Sequence, residues 1–283
     1  MHKLRTYLSF VRFSHSVFAL PFALTGALLA WRDHPMSWAQ VGWIVVCMVS
    51  ARSAAMGFNR LVDADHDALN PRTAMREIPR GALTRANAAI FVALSSVVFV
   101  VGAARLSTLC LILAPGALAI VFWYSLAKRY TAYTQLFLGL AMAVAPVGGW
   151  IAAGGRAGAE PWLLGLAIGL WVGGFDILYA CQDREFDLGH GLRSIPTRFG
   201  IRRAIQLSRV MHVATVVAMA ALWRVAALPA LYLVGVGIVA VLLTYEQTLV
   251  SDEDLTRVKT AFDLNGYVGI VYFLVTAVSL YLG

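Results

Sequence analysis

The chain has 283 residues, of which 60% are hydrophobic and 13% charged, against roughly 45–50% and about 25% in an average soluble domain. With a mean hydropathy of +0.73, that composition excludes a water-soluble chain, and lipid is the solvent for most of it. The net charge of +8 does not mark a nucleic-acid binder, because in so apolar a chain the excess Lys and Arg belong to cytoplasmic loops.

A transmembrane helix needs about 20 mostly apolar residues. In chain order such runs fall at Phe10 to Trp31, Trp38 to Asn59, Asn87 to Ala104, Leu109 to Ala127 and Tyr133 to Ala153. Four more follow at Trp162 to Gln182, Ala204 to Trp223, Leu228 to Thr248 and Phe262 to Leu282. They predict an all-α integral membrane protein, a nine-helix bundle in a single domain over 1–283, with cytoplasmic cap loops at about 60–86 and 183–203. The basic start, Lys3 and Arg5, imitates a signal peptide, but eight further runs argue for a retained first helix. Cys47, Cys110 and Cys181 form no CxxC and predict neither a disulfide framework nor a zinc site. Gly139, Gly165 and Gly169 within the runs suit close helix packing inside the chain.

Loops rich in Lys and Arg stay cytoplasmic. The side shared by the amino terminus and the connections after the even-numbered runs carries 18 of the 23 basic residues. Four (Arg32, Arg105, Arg156, Arg224) fall opposite, and Arg52 lies within a run. The amino terminus is therefore expected inside and the carboxyl terminus outside. Of the 15 acids, all but Asp33 and Glu160 crowd the same side. Topology does not explain them, because Asp and Glu contribute little to it.

Two acidic clusters stand out. Asn59, Asp63 and Asp67 leave the second run at i, i+4, i+8, which on a helix is one stripe. Asp176, Asp183 and Asp187 leave the sixth as a second stripe, with Tyr179 close to it. Two carboxylate stripes entering a bundle from one side set hard oxygen ligands around a shared space. Mg²⁺ takes one or two carboxylates together with substrate phosphates. Arg72, Arg76, Arg80, Lys128, Arg193 and Arg198 on that face are placed to grip phosphates. A diphosphate head on a hydrocarbon body is the ligand this combination implies. Asp176 lies several residues inside the apolar run, where a carboxylate is costly without a role. Asp63, Asp65 and Asp67 also imitate an EF-hand, but Ala68 and Ala74 stand where that loop needs Gly and Glu.

These residues resemble the UbiA superfamily of intramembrane prenyltransferases, which carries NxxxDxxxD after helix two and YxxxD with DxxxD after helix six. Asn59, Asp63 and Asp67 match the first motif; Tyr179, Asp183 and Asp187, with Asp176, match the second. Arg72-Thr-Ala-Met-Arg76, Pro79-Arg80-Gly81 and Tyr124-Ser-Leu-Ala-Lys128-Arg129 look like the 4-hydroxybenzoate polyprenyltransferase branch. Segments 174–187 and 191–200 look closer to members tied to menaquinone made by the futalosine route.

The resemblance implies a nine-helix bundle with a lateral opening to lipid, Mg²⁺, a polyprenyl diphosphate donor and an aromatic quinone precursor as acceptor. That acceptor is 4-hydroxybenzoate or a dihydroxynaphthoate-type ring, in ubiquinone or menaquinone biosynthesis. In that picture Asn59, Asp63, Asp67, Asp183 and Asp187 hold magnesium. Arg72, Arg76, Lys128, Arg129 and Arg193 neutralise the diphosphate. Arg12, His15, Tyr124 and Phe175 are candidates for the acceptor and prenyl pocket, and Asp176 with Tyr179 for catalysis. No obligatory protein partner and no nucleic acid is expected, and the location expected is a bacterial inner membrane with the site on its cytoplasmic face. The rivals are an ion-coupled transporter, whose helices would break at Gly148-Gly149 or Gly173-Gly174, and a CDP-alcohol phosphotransferase. The latter's signature begins Asp-Gly, which occurs nowhere here.

Overall fold

The computed structural model describes residues 2–11, 13–33 and 35–282, with the side chains of 6–11, 20–33 and 35–282. Arg12 lies outside the described residues, as does the side chain of His15. The described chain is helical throughout and holds no strand. It divides into two compact units, 1–20 with 36–126, and 21–35 with 127–283.

The first unit contains α1 (His2–Phe10), α3 (Trp38–Val62), the short α4 (Ala64–Leu69), α5 (Arg85–Leu106) and most of α6 (Thr108–Tyr130). Ser37 starts α3 with a reciprocal cap: its hydroxyl accepts from the Gln40 amide at 3.3 Å, and its own N–H donates to Gln40 Oε1 at 2.9 Å. Thr84 caps α5 through the Asn87 amide at 3.2 Å. Such caps satisfy N–H groups that a helix start leaves unpaired. Phe10, Val11, Leu83 and Ala88 form a buried core, against which Tyr7 and Phe91 pack.

The second unit takes the larger part of α2 (Phe13–Trp31), then α7 (Thr134–Ala152), α8 (Glu160–Ala180), α9 (Arg184–Gly189) and α10 (Ile195–Phe199). α11 (Ile201–Val225), α12 (Leu231–Thr248) and α13 (Val258–Leu282) complete it. Its helices approach through small residues, as expected where lipid supplies no contrast with an apolar face. A Cβ on Gly139 would lie 2.3 Å from Gly169 O, and one on Gly149 2.0 Å from Ala23 O. The glycines of α7 and α8 thus pack within the chain. Tyr232 and Tyr272 join α12 to α13 through their hydroxyls at 2.7 Å, and Tyr232 Oη donates to Met219 O of α11 at 3.2 Å.

Eight described helices are long and apolar enough to cross a membrane. The first of the nine expected runs corresponds to α2, which is helical over Phe13–Trp31, with side chains described from Leu20 onward. Outward positions of α11 and α12 carry Val210, Val213, Val217 and Val241, side chains suited to hydrocarbon. α7 runs unbroken through Gly148-Gly149 and α8 through Gly173-Gly174, so the broken helices of the transporter reading do not occur there. The cap segments are not loops throughout, since α4, α9 and α10 lie inside them.

Candidate active site: two acid-hinged helix joints

In the first unit α3 ends at Val62 and α4 begins at Ala64, with Asp63 as the joint at φ −91°, ψ −1°. The hydrogen-bond ladder continues across it, from the Asp63 amide to Asn59 O at 3.0 Å and from the Asp67 amide to Asp63 O at 2.8 Å. Asn59 Nδ2 donates to Asp63 Oδ2 at 3.3 Å. Arg76 Nη1 donates to both Asp67 oxygens at 2.8 Å, and Thr73 Oγ1 donates to Asp67 O at 3.1 Å. Beneath the loop, Arg60 and Glu77 form a buried ion pair at 2.8 Å, and Ser9 Oγ donates to the other Glu77 oxygen at 2.5 Å. Arg72 is exposed and its amide donates to Asn70 Oδ1 at 2.9 Å, while Asp65 pairs at the surface with Arg85.

In the second unit α8 carries Asp176 and Tyr179, passes through a single tight turn at Cys181–Asp183, and continues as α9 with Asp187. Asp183 is again the joint, at φ −94°, ψ 0°. The stripe expected through Asp176, Asp183 and Asp187 is therefore interrupted between the first two. A tighter turn advances the chain by about 3.0 residues per turn instead of 3.6, which rotates the acids beyond it. Gly191, at φ +67°, turns the chain back to the end of α6. There the Arg193 amide donates to Lys128 O and Arg193 Nη1 donates to Tyr130 O, each at 2.8 Å. Arg193 is thus tied to the backbone of the Lys128–Tyr130 end of α6. Arg198 stacks over Tyr133 and Phe199, at 5.7 and 5.4 Å from the ring centroids.

Both motifs therefore build the same device: a long helix, an Asp in the sparsely allowed bridge region of backbone conformation, and a six-residue helix bearing a second Asp. Non-helical residues in that region recur at active sites. Tyr179 packs on Phe262 of α13 with ring centroids 4.9 Å apart, and Phe262 meets Phe175 edge-on at 5.5 Å. Phe22 stands edge-on to Trp171, one turn below Phe175, at 5.1 Å.

Sequence reasoning set Arg52 aside as a basic residue within a run. It lies on the α3 face of Asn59 and Asp63, two turns, or about 10 Å, before Asn59, and near Tyr124 of α6. Its Nε is buried without a hydrogen-bond partner. An arginine within an apolar helix calls for an anionic partner; its seven-residue, two-turn spacing to Asn59 is the sequence signal that marks it.

Among the described residues no three His, Cys, Asp or Glu side chains come close enough to hold a metal ion by themselves. Each joint nevertheless fits Mg²⁺. It offers two carboxylates one turn apart, and Asp63 and Asp67 are only 3% and 6% exposed. Arg76 already meets Asp67, and the Asn59 amide meets Asp63; Mg²⁺ takes one or two carboxylates and draws the rest of its shell from phosphate and water.

Long apolar helices with an acid-bearing joint after α3 and another after α8 belong to a membrane-embedded chain, and that chain is a member of the UbiA prenyltransferase family, whose model matches residues 19–275. Among particular relatives, the 4-hydroxybenzoate octaprenyltransferase of Pseudoalteromonas translucida is 32% identical over 230 residues, 80% of this chain and 77% of that one. The apo structure of a UbiA homolog from Aeropyrum pernix K1 superposes with a TM-score of 0.87 at 35% identity, over 94% of this chain and 98% of that one. A UbiA homolog from Archaeoglobus fulgidus bound to GPP and Mg²⁺ shares the fold, with a TM-score of 0.76 at 20% identity over 96% and 99%.

Proposed function

We propose that the chain moves a polyprenyl group from its diphosphate to a ring carbon of an aromatic acid, 4-hydroxybenzoate or a dihydroxynaphthoate-type acceptor, at the cytoplasmic face of a bacterial inner membrane. The pair of acid-hinged helix joints carries this reading, and the octaprenyltransferase relative supports it. Asn59, Asp63 and Asp67 in the first unit, and Asp183 and Asp187 in the second, are the magnesium ligands. Held by these residues, magnesium would supply positive charge against the leaving diphosphate.

The basic side chains share that work. Arg72, Lys128, Arg129 and Arg193 grip phosphate oxygens, and Arg76 holds Asp67 in place and offers its remaining donors. Ionisation of the allylic carbon produces a cation that the apolar helices shield from water. The faces of Tyr124, Tyr179 and Phe175 stabilise it by cation–π attraction. Arg52, with its buried orphan Nε, meets the acceptor carboxylate. Arg12 and His15 remain part of the proposed acceptor pocket. Asp176 takes the ring proton or polarises the acceptor hydroxyl, with Tyr179 beside it.

The test is direct. Purified protein is incubated with a labelled polyprenyl diphosphate and each acceptor in turn, with and without Mg²⁺, and the product identified by mass. Asp63→Ala and Asp183→Ala are each expected to lower diphosphate release on the order of 100-fold with folded yield retained. Normal turnover in both overturns the metal assignment. Asp176→Asn should keep donor binding while prenylation falls; a parallel loss of donor affinity moves Asp176 to the diphosphate.

A further inference from the structure

Away from the acid joints, one polar tie lies deep in the second unit. Trp171 of α8 and Asn265 of α13 are both 0% exposed, and Trp171 Nε1 donates to Asn265 Oδ1 at 2.6 Å. Asn265 Nδ2 donates in turn to Ala261 O at 3.0 Å, one turn back on its own helix. Flipping the amide would set its NH₂ against the indole N–H, so its orientation is fixed by both bonds. Buried Glu246 of α12 lies beside the same amide. Both groups are fully buried, so the indole N–H and the amide oxygen satisfy one another away from solvent, where an unmade bond is costly.

From this tie a line of ring contacts leads along α8 to the motif. Trp171 meets Phe175 edge-on at 5.9 Å, Phe175 meets Phe262 at 5.5 Å, and Phe262 tilts against Tyr179 at 4.9 Å. Trp171, Phe175 and Tyr179 are spaced four apart and form one stripe, while Phe262 and Asn265 sit three apart on α13. Trp171 is sealed, Phe175 is 4% exposed, and Tyr179 and Phe262 are half-buried. The closed end therefore touches no ligand, and the open end lies one turn from Asp183.

We propose that Asn265 is a positioning residue for prenyl transfer: its bond to the Trp171 indole sets the register of α13 against α8, and so places the Phe262 ring on which Tyr179 rests. The physical reason is that apolar faces in lipid have no hydrophobic drive toward one particular register. Stacked rings tolerate sliding, whereas a hydrogen bond is directional. This inference rests on the role given to Tyr179 under the proposed function.

Asn265→Leu, Trp171→Phe and the double variant separate this role from simple stabilisation. The measurements are kcat, KM for donor and acceptor, the melting temperature in detergent, and the indole resonance of Trp171 in ¹⁵N-tryptophan-labelled protein, assigned by its loss in Trp171→Phe. Each single variant is expected to lower kcat about tenfold with donor KM within about twofold. The double should fall no further, since both changes break one bond. The Trp171 resonance should shift in Asn265→Leu. If Asn265→Leu does not fold, Trp171→Phe, which deletes only the donor from an otherwise apolar ring, carries the same expectation. Wild-type kcat in the singles, with only the melting temperature lowered, overturns the proposal, as do losses that multiply in the double. Wild-type protein that forms no prenylated product overturns the functional reading beneath it.

Discussion

At the residue scale, charge within lipid needs a partner. Arg60 and Glu77 satisfy one another, Asp67 is held by Arg76, and Arg52 keeps an unpartnered Nε. Placed beside Tyr124 on the face of Asn59, Arg52 is suited to a carboxylate that arrives with the acceptor. Arg52→Ala is therefore expected to raise acceptor KM on the order of tenfold or more, while donor binding and Mg²⁺ dependence persist. Arg52→Lys should recover part of the loss, because a lysine keeps the charge but not the planar fork. Steady-state kinetics with each substrate varied in turn reads this; an unchanged acceptor KM removes Arg52 from the pocket.

At the scale of elements, the second unit depends on helices whose backbones touch. Cβ atoms on Gly26 and Gly149 would each lie 2.0 Å from a carbonyl oxygen, of Pro146 and of Ala23. Backbone cannot yield as a flexible side chain does, so α2 and α7 would have to separate. Gly149→Val is expected to cost about 1–3 kcal/mol or more, seen as a lowered melting temperature in detergent. Gly148→Ala, whose Cβ would meet nothing within 4 Å, should leave that temperature within experimental scatter. Equal behaviour of the two neighbours would show that the approach of α2 to α7 does not limit stability. The two short helices α4 and α9 work at this scale as well. Each presents its second Asp one turn beyond a hinge, which a continuous helix of the same sequence would aim elsewhere.

At the scale of the whole molecule, the distribution of 23 basic residues argues for orientation. The amino terminus is expected in the cytoplasm and the carboxyl terminus outside. A green fluorescent protein fused at the amino terminus should glow, and alkaline phosphatase fused at the carboxyl terminus should be active. A dark first fusion with an inactive second reverses the orientation and moves both acid joints to the outer face.

Sequence alone determined the fold class, since 60% hydrophobic residues in long runs leave helices in lipid as the one way to satisfy the backbone. It also singled out Asn59, Asp63, Asp67, Asp183 and Asp187 as the proposed magnesium ligands, through motif spacing, a local property. It missed the hinge at each first Asp, since bridge-region backbone carries no composition signal. It passed over Arg52 because a lone basic residue in an apolar run has no visible partner in one dimension. Only the tertiary structure paired Arg76 with Asp67 and Trp171 with Asn265, 94 residues apart in the chain. Periodicity shows which face of a helix is apolar; which polar atom meets which across two such faces is decided by packing, where a buried donor must find its acceptor.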